Sequence, residues 1–467
     1  MAKQLYDYWF VQFDFPNEEG KPYKSTGGKM VWNDKLKREI PERWSSKMIG
    51  EIEGNIVTGK TPSCANEDNF GGDIPFITID DIRGNLFVFQ SQRTLSKLGA
   101  DSQSKKYLPE GSLCISCIGT IGVMGFVARL AQTNQQINSI IFDKEYNKEF
   151  SYFSLMLHFG NAKAKTGNVF ANMNKEEFAS IYTAYPSIEL LQKYHEIVLP
   201  MFDTIRTNTS EILNLTKQRD ELLPLLMNGQ VSVNYHLANK NNVVNTLFRA
   251  KLLTLYKIGL NMSENLKLWD IIDSFVSGDW GNEEESPEAP CCVSCIRGAD
   301  IVPICNSDFD NIPIRYISNR SFTTHCLQEG DIIVEKSGGS PTQSTGRVVY
   351  ISKELLAAKH DIVCSNFCVA FRVKPEWNSL YIYYYLRNVY NAGVFFNFEG
   401  KTSGIKNLDI ETAFRAIPIK AIAMETQISI ATTISCLDKK IALNRAINDN
   451  LPTPGHSLAT VTTRLVA

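Results

Sequence analysis

The 467-residue sequence lacks the long apolar runs of a membrane protein. None of its apolar stretches approaches the roughly 20 residues that a transmembrane helix requires. The first ten residues, MAKQLYDYWF, also lack the apolar core and small-residue cleavage site of a secretory signal. We therefore expect a cytoplasmic protein that does not enter a membrane.

The chain also lacks a surplus of charge and any histidine motif. Its 48 Lys and Arg residues oppose 50 Asp and Glu residues, so the net charge is −2. Any contact with nucleic acid must then come from a local basic surface or from a partner subunit. The six histidines show no H-E-x-x-H spacing, and no metal or nuclease site is predicted. The hydrophobic fraction of 43% is that of a globular protein long enough for two or three domains.

Cysteine is plentiful in comparison, with eleven residues. Two C-x-x-C pairs, Cys114/Cys117 and Cys292/Cys295, have the spacing of zinc half-sites, but 174 residues separate them. The pairs of a zinc ribbon lie only about 15–20 residues apart. Both pairs occur in apolar, strand-like runs. We interpret them as reduced core cysteines, with zinc binding as the alternative.

Residues 54–61, GNIVTGKT, match the phosphate-binding pattern G-x-x-x-x-G-K-[ST]. A P-loop follows a buried strand, and its Lys and Thr begin a helix. Here Pro62 follows Thr61 directly and disfavours helical geometry at Thr61. Residues 62–72 have the composition of a loop. We predict a loop between strands, and keep a P-loop nucleotide-binding protein as an alternative function.

Two long segments, 190–227 and 424–451, carry apolar residues at alternating spacings of three and four. This pattern predicts long helices that pack along each other as an antiparallel, coiled-coil-like pair. A crossed pair, or two unrelated amphipathic helices, are the alternatives. An asparagine at the same position of each seam is expected to fix the register. The predicted seam residues are Val198, Met201, Ile205, Asn208, Ile212 and Leu215 on the first helix, and Ile434, Leu437, Ile441, Asn444 and Leu451 on the second.

Each long helix follows a block in which the same features recur in the same order. An L-x-E-G motif occurs at residues 108–111 and again at 327–330, before a predicted strand. A Gly-rich segment, a further strand, an Asn-bearing turn and an aromatic helix follow in both blocks. We therefore predict a mixed α/β (α+β) fold with two similar domains, a pseudo-two-fold internal repeat, and two long spacer helices.

Several stretches resemble the specificity subunit of Type I restriction-modification systems, and the resemblance covers nearly all of the chain. They are residues 5–16 (LYDYWFVQFDFP), 27–44, 59–63 (GKTPS), 74–82 (IPFITIDDI), 219–229 (RDELLPLLMNG) and 278–281 (GDWG). The resemblance implies a non-catalytic subunit that reads a bipartite, asymmetric DNA target with an unread spacer. It also implies that GKTPS is a loop in the first target-recognition domain.

The resemblance further implies what binds to the chain. Its partners would be double-stranded DNA, two modification (methyltransferase) subunits, and restriction (motor and endonuclease) subunits. These subunits would carry out adenine-N6 methylation and ATP-dependent cleavage, and would hold S-adenosylmethionine, ATP and Mg, leaving no cofactor in this chain. Consistently, the sequence has no Asn/Asp-Pro-Pro-Tyr/Phe tetrapeptide and no glycine fingerprint for the methyl donor. A coiled-coil adaptor without DNA function is the other alternative.

The repeat and the resemblance together predict seven segments. The first helix, with about 38 residues at 1.5 Å each, would extend about 57 Å and exceed one turn of duplex DNA, about 34–36 Å. The predicted segments are an N-terminal arm completing the helical region (1–42), the first target-recognition domain (43–186), the central spacer helix (187–232), a linker with a helical segment (233–264), the second target-recognition domain (265–418), the C-terminal spacer helix (419–452) and a loose tail (453–467).

Candidate DNA-contacting residues are polar and basic side chains in the loops of both domains. Bases are read by paired donors and acceptors, and phosphates are bound by Lys, Arg, Ser and Thr. The candidates in the first domain are Lys60, Thr61, Ser63, Lys105, Lys106, Thr120, Asn134, Gln135 and Gln136. Those in the second domain are Lys336, Ser337, Thr342, Gln343, Arg347, Lys401 and Thr402.

Overall fold

A computed structural model describes residues 1–166, 172–232, 266–338, 343–359, 361–402 and 405–450. These residues fall into two compact units, one from Met1 to Ile212 together with the chain from Asn444, and one from Leu213 to Leu443. The predicted linker 233–264, the tail 453–467, Thr342 and Leu451 lie outside the described residues.

The first unit begins with a short arm and continues as a mixed α/β domain. A π-helical turn, Asp7–Val11, extends its first helix. Its helices are α1 (Ala2–Tyr6), α2 (Ile49–Ile52), α3 (Ile79–Ile82), α4 (Lys97–Asp101), α5 (Lys148–Thr166), α6 (Lys175–Ala179) and the first part of α7 (Ile188–Met227). Its strands are β1 (Met30–Asn33), β2 (Arg38–Pro41), β3 (Ser45–Met48), β4 (Ile56–Thr58), β5 (Phe70–Ile77), β6 (Phe87–Val88), β7 (Arg93–Leu95), β8 (Leu113–Ser116), β9 (Met124–Val127), β10 (Gln132–Thr133), β11 (Ile137–Ile140) and β12 (Tyr182–Tyr185).

The second unit repeats this sequence of elements and is completed by the rest of α7. Its further helices are α8 (Ile301–Cys305), α9 (Asn319–His325), α10 (Lys353–Ala358), α11 (Ser379–Asn391), α12 (Ile410–Ala416) and most of α13 (Met424–Asn450). Its strands are β13 (Ile272–Ser277), β14 (Cys291–Ile296), β15 (Ile314–Ile317), β16 (Ile332–Glu335), β17 (Ser337–Gly338), β18 (Val348–Tyr350), β19 (Ile362–Cys364), β20 (Cys368–Val373), β21 (Glu399–Thr402) and β22 (Ile405–Leu408).

The sheet topology confirms the internal repeat. The order β4-β11-β8-β9 in the first unit corresponds to β13-β20-β16-β18 in the second. Each unit also has a three-stranded sheet whose central strand, β5 or β14, pairs antiparallel with one neighbour and parallel with the other. The same connections therefore build both units from different sequences.

The L-x-E-G motifs have a specific backbone role in this repeat. Gly111 and Gly330, the last residues of the two motifs, have φ values of 83° and 93°. Side chains strongly disfavour this left-handed region, whereas glycine adopts it freely. The two glycines make the turns that lead into β8 and β16, the central strands of the two main sheets.

The two long helices pack antiparallel within each unit. In the first unit, Asn208 on α7 donates to Asn448 on α13 (3.0 Å), and Asn444 donates to Glu211 (2.7 Å). In the second unit, Arg219 Nη1 on α7 donates to Asp438 Oδ1 on α13 (2.9 Å). The seam residues Val198, Ile205, Ile434, Leu437 and Ile441 are buried, while Met201, Ile212 and Leu215 are half-buried.

The partner of Asn208 corrects one detail of the sequence prediction. Asn208 and Asn444 occupy equivalent seam positions, yet they do not bond to each other. Because the helices run in opposite directions, each of these two residues faces a residue about one helical turn from its equivalent. Two polar contacts, Asn208 with Asn448 and Asn444 with Glu211, set the register in place of an Asn208–Asn444 pair.

Candidate functional site

The loop that leaves β4 lies against the turn at residues 133–136 of the first unit. The Gly59 amide donates to the carbonyl of Ile137 (3.0 Å), and the Lys60 amide donates to that of Thr133 (2.9 Å). A Cβ on Gly59 would lie 2.1 Å from the carbonyl oxygen of Asn134. Glycine is therefore required for this close approach.

The same geometry excludes a P-loop at residues 54–61. The strand β4 lies inside the motif, and no helix begins at Lys60 or Thr61. The amides of Gly59 and Lys60 already donate to backbone carbonyls, so they cannot cradle a phosphate as P-loop amides do. The prediction of a loop between strands is confirmed.

Polar side chains from three segments meet around this loop. Thr61 Oγ1 donates to Gln135 Oε1 (2.8 Å), and Asn134 Nδ2 donates to Gln136 Oε1 (3.0 Å). Lys106 Nζ donates to the carbonyl of Thr58 (2.8 Å). We call this cluster the first polar edge; its members are Lys60, Thr61, Lys106, Asn134, Gln135 and Gln136.

The other three candidates of the first unit lie near this edge in the chain. Ser63 follows Thr61 in the same loop, Lys105 precedes Lys106, and Thr120 lies in the turn after β8; all three are exposed. That turn is tied to the first polar edge because the Cys117 amide donates to the carbonyl of Gln136 (2.8 Å). The structure thus gathers residues that are up to 76 positions apart in sequence, as the residue numbers 60 and 136 show.

An equivalent edge occurs in the second unit. A Cβ on Gly278 would lie 2.0 Å from the carbonyl oxygen of Ser365. The Asp279 amide donates to the carbonyl of Cys364 (2.8 Å), and the Lys336 amide to that of Phe367 (2.8 Å). These two bonds correspond to those of Lys60 and Cys117 in the first unit, and the close approach of Gly278 corresponds to that of Gly59. We call residues 278–280, 336–338 and 365–367 the second polar edge.

The predicted residues of the second unit are only partly gathered at this edge. Lys336 is exposed there, and Ser337 Oγ donates to Asn407 Oδ1. Gln343 is exposed, and its carbonyl accepts from Lys406 Nζ (3.1 Å). Lys401 and Thr402 lie on β21, which pairs with β22, but their side chains are outside the described part of the structure.

Arg347 requires a correction, because its guanidinium is already occupied. Its Nε and Nη2 donate to the two carboxylate oxygens of Glu335, at 2.8 and 2.5 Å. Glu335 is 1% exposed, and a buried carboxylate needs such a counter-charge. The hydrogen bonds to Glu335 raise the pKa of Arg347. The Nε and Nη2 groups of Arg347 therefore neutralise Glu335 and are not open to a base.

The electrostatics beside β22 follow the same rule. Lys406 lies 3.4 Å from Glu399, whose carboxylate also accepts from Ser344 Oγ (2.7 Å) and from the Thr345 amide (2.6 Å). Burial raises the pKa of Glu399, but these hydrogen bonds outweigh it and leave the pKa lowered. The carboxylate therefore stays charged and anchors the segment that begins at Ser344.

Three residues near the second polar edge were missed in the sequence: Asn366, Phe367 and Lys406. Asn366 and Phe367 are exposed at the positions that correspond to Gln135 and Gln136. Aligning the two Asn-bearing turns residue by residue would have identified them. Lys406 carries no local signal, because it is placed by the pairing of β22 with β17 and β21.

The cysteine pairs are mostly buried, as the core interpretation predicts, with one exception. Cys114, Cys117 and Cys295 are buried, whereas Cys292 is exposed, which corrects its assignment to the core. Burial raises the pKa of Cys117 to about 11 and that of Cys295 to about 12. Among the described residues, no group of three or more His, Cys, Asp or Glu side chains is arranged to hold a metal ion.

Within the described ranges, no helix combines the length and apolar character needed to cross a bilayer.

A family model described as "Type I restriction modification DNA specificity domain" matches residues 41–217 and 301–453. A solved S subunit of a Type I restriction-modification system from M. genitalium has a TM-score of 0.50 at 13% identity, over 87% of this chain and 92% of that chain. This likeness shows the fold.

Two curated proteins are also similar to this chain. The specificity subunit of the Type I restriction enzyme HindI from Haemophilus influenzae is 40% identical over 196 residues, 41% of this chain and 42% of that protein. The specificity subunit of MjaIX from Methanocaldococcus jannaschii is 24% identical over 240 residues, 50% of this chain and 52% of that protein. The chain thus spans about half the length of the curated relatives it matches.

Proposed function

Because the chain belongs to the family of Type I restriction-modification specificity subunits, we propose that it reads a bipartite DNA target whose two half-sites differ. It would leave the base pairs between the half-sites unread. Partner subunits would then methylate adenine at N6 and cleave DNA with ATP, so this chain would supply recognition and no catalysis.

The observation that carries this proposal is the pair of equivalent polar edges. In both units, two backbone amides donate to carbonyls of one turn. One amide belongs to the residue after a close-packed glycine (Lys60 or Asp279), and the other to the residue after a central strand (Cys117 or Lys336). The side chains on that frame differ, with Gln135 and Gln136 in one unit and Asn366 and Phe367 in the other. A conserved frame with different side chains suits two reading heads for two different sequences.

The chemistry of the side chains supports DNA as the ligand. Carboxamides present a donor and an acceptor together, which matches the edge of adenine in the major groove. Lysines bind phosphates and position the protein without reading sequence. We propose Lys60, Lys105, Lys106 and Lys336 for the backbone, and the carboxamides and hydroxyls of the two edges for the bases. The remaining proposed contacts are Thr61, Ser63, Thr120, Asn134, Ser337, Thr342, Gln343, Lys401 and Thr402.

The helices support the proposed assembly. The helix α7 has 40 residues and contributes to both units, and at 1.5 Å per residue it is about 60 Å long. We propose that α7 and α13 set the separation of the half-sites and bind two modification subunits. S-adenosylmethionine, ATP and Mg would bind to the modification and restriction subunits.

Mapping of N6-methyladenine in cells that express the complex tests the function. We expect one bipartite motif that disappears when this chain is omitted. Replacing Gln135 and Gln136 by Ala should change one half of the motif, because both lie on the first polar edge. Gln90→Ala, an exposed glutamine of the same unit outside that edge, is the matched control and should leave the motif intact. Methylation that persists without this chain would contradict the proposal.

A further inference from the structure

The turn at residues 365–367 is held rigidly by its backbone. The Ser365 amide donates to the carbonyl of Ile296 (2.9 Å), and the carbonyl of Ser365 accepts from the Cys368 amide (2.9 Å). The carbonyl of Phe367 accepts from two amides, those of Lys336 (2.8 Å) and Ser337 (3.0 Å). The position of the turn is therefore fixed before any ligand binds, which lowers the entropic cost of recognition.

Two exposed side chains project from this turn, the carboxamide of Asn366 and the aromatic ring of Phe367. Phe367 is 55% exposed, and Asn366 is also exposed. Within the part of the chain that the structure describes, the Asn366 carboxamide makes no hydrogen bond. In the first unit, by contrast, Gln135 accepts from Thr61, and Gln136 accepts from Asn134. The second turn presents an open carboxamide and an open aromatic ring.

The surroundings of the turn favour a nucleic-acid ligand. It borders a groove of about 560 Å³ that is also lined by Phe275, Gly278 and Lys336. Lys336 is exposed, and its backbone amide donates to the carbonyl of Phe367 (2.8 Å). An exposed lysine on the strand that is hydrogen-bonded to this turn adds a phosphate contact to the two base contacts that the turn offers.

We propose that Asn366 and Phe367 read two adjacent positions of the second half-site. Asn366 pairs with an adenine: its amide NH₂ donates to N7, and its carbonyl oxygen accepts from the N6 amino group. Phe367 packs on the C5-methyl group of a neighbouring thymine, an apolar group that an exposed ring recognises by excluding water. This inference rests on the proposed function and names the bases that the second unit selects.

The test removes single groups from the DNA and from the protein together. The complex with its modification subunits is titrated with a duplex that carries the mapped motif. Each thymine is replaced in turn by deoxyuridine, which lacks the methyl group, and each adenine by 7-deazaadenine, which lacks N7. We expect one deoxyuridine position and one 7-deazaadenine position in the same half-site to weaken binding about tenfold each.

The variants then assign these positions. Phe367→Ala should abolish the deoxyuridine effect, and Asn366→Ala the 7-deazaadenine effect, while the half-site read by the first polar edge stays unchanged. Val302→Ala, a 49% exposed apolar residue on α8 of the same unit, should leave both effects intact. If both base effects persist in the variants, or if the sensitive positions fall in the other half-site, the inference is overturned. A wild-type complex without any motif would instead overturn the proposed function.

Discussion

Removal of the Asp438 carboxylate should destabilise the second unit more than any nearby surface change. Asp438 on α13 accepts from Arg219 Nη1 on α7 (2.9 Å), from Arg387 Nη1 on α11 (2.8 Å) and from the Tyr384 hydroxyl (2.9 Å). Its side chain is 21% exposed, and those of the two arginines are 16% and 17% exposed. One carboxylate therefore joins three helices and neutralises two cations.

The magnitude follows from what Asp438→Ala leaves behind. Removing one partner of a buried pair costs about 3–5 kcal/mol when the other charge stays buried and unpaired. Here Arg387 loses its carboxylate partner, whereas Arg219 keeps its salt bridge to Asp220 (2.8 Å). The partial exposure of this cluster lets water screen the arginines, so we expect the lower end, about 3 kcal/mol. Asp438→Asn keeps an acceptor oxygen but loses the charge, and it should cost about 1.5 kcal/mol, the value of a weak charged hydrogen bond.

Differential scanning calorimetry of the full chain measures this effect. For a unit of this size, about 3 kcal/mol corresponds to a decrease of about 6–12 °C in the transition temperature. Lys439→Ala, on the same helix, is the matched control; its pair with Glu354 is exposed (72% and 64%) and 3.8 Å long, so the shift should be within about 1 °C. A shift for Asp438→Ala as small as that of the control would refute the reasoning.

Three further predictions concern the first unit and the two edges. His195 Nδ1 donates to Glu149 Oε2 (2.7 Å), and this hydrogen bond raises the pKa of His195. The stabilisation is therefore complete below the unfolded pKa of about 6.5, and it is lost as pH rises through the raised folded pKa. Urea denaturation between pH 5 and pH 9 should show this loss in the wild type and not in His195→Gln. Gly278→Ala should displace the turn at Ser365, and mapping of methylation should then show a change in the second half-site only. Gly59→Ala should change only the first half-site. A change in both half-sites with either variant would mean that the two edges are not independent. Lys60→Ala should lower the dependence of DNA affinity on salt by about one counterion without changing the motif, and a changed motif would instead make Lys60 a base contact.

Much of the architecture could be predicted from the sequence because its signals are local. The long helices follow from apolar spacings of three and four, and the repeat follows from motifs such as L-x-E-G, whose glycines adopt left-handed φ. Pro62 and the loop composition of residues 62–72 predict that no helix begins at Thr61, and none does. Such signals depend only on neighbouring residues, so they persist without knowledge of the fold.

The tertiary structure alone decided which side chains remain open to a ligand. Arginine is a residue type that commonly reads bases, but the pairing of β16 with β18 brings Arg347 into hydrogen bonds with the buried carboxylate of Glu335. Phe367 has an apolar side chain of the kind usually found in a core, but its position in the turn leaves it exposed. Whether a polar or apolar group is used inside the protein depends on partners brought together by strand pairing, which are distant in sequence. The sequence by itself determined the elements and their duplication, and the packing of those elements determined which side chains stay open to a ligand.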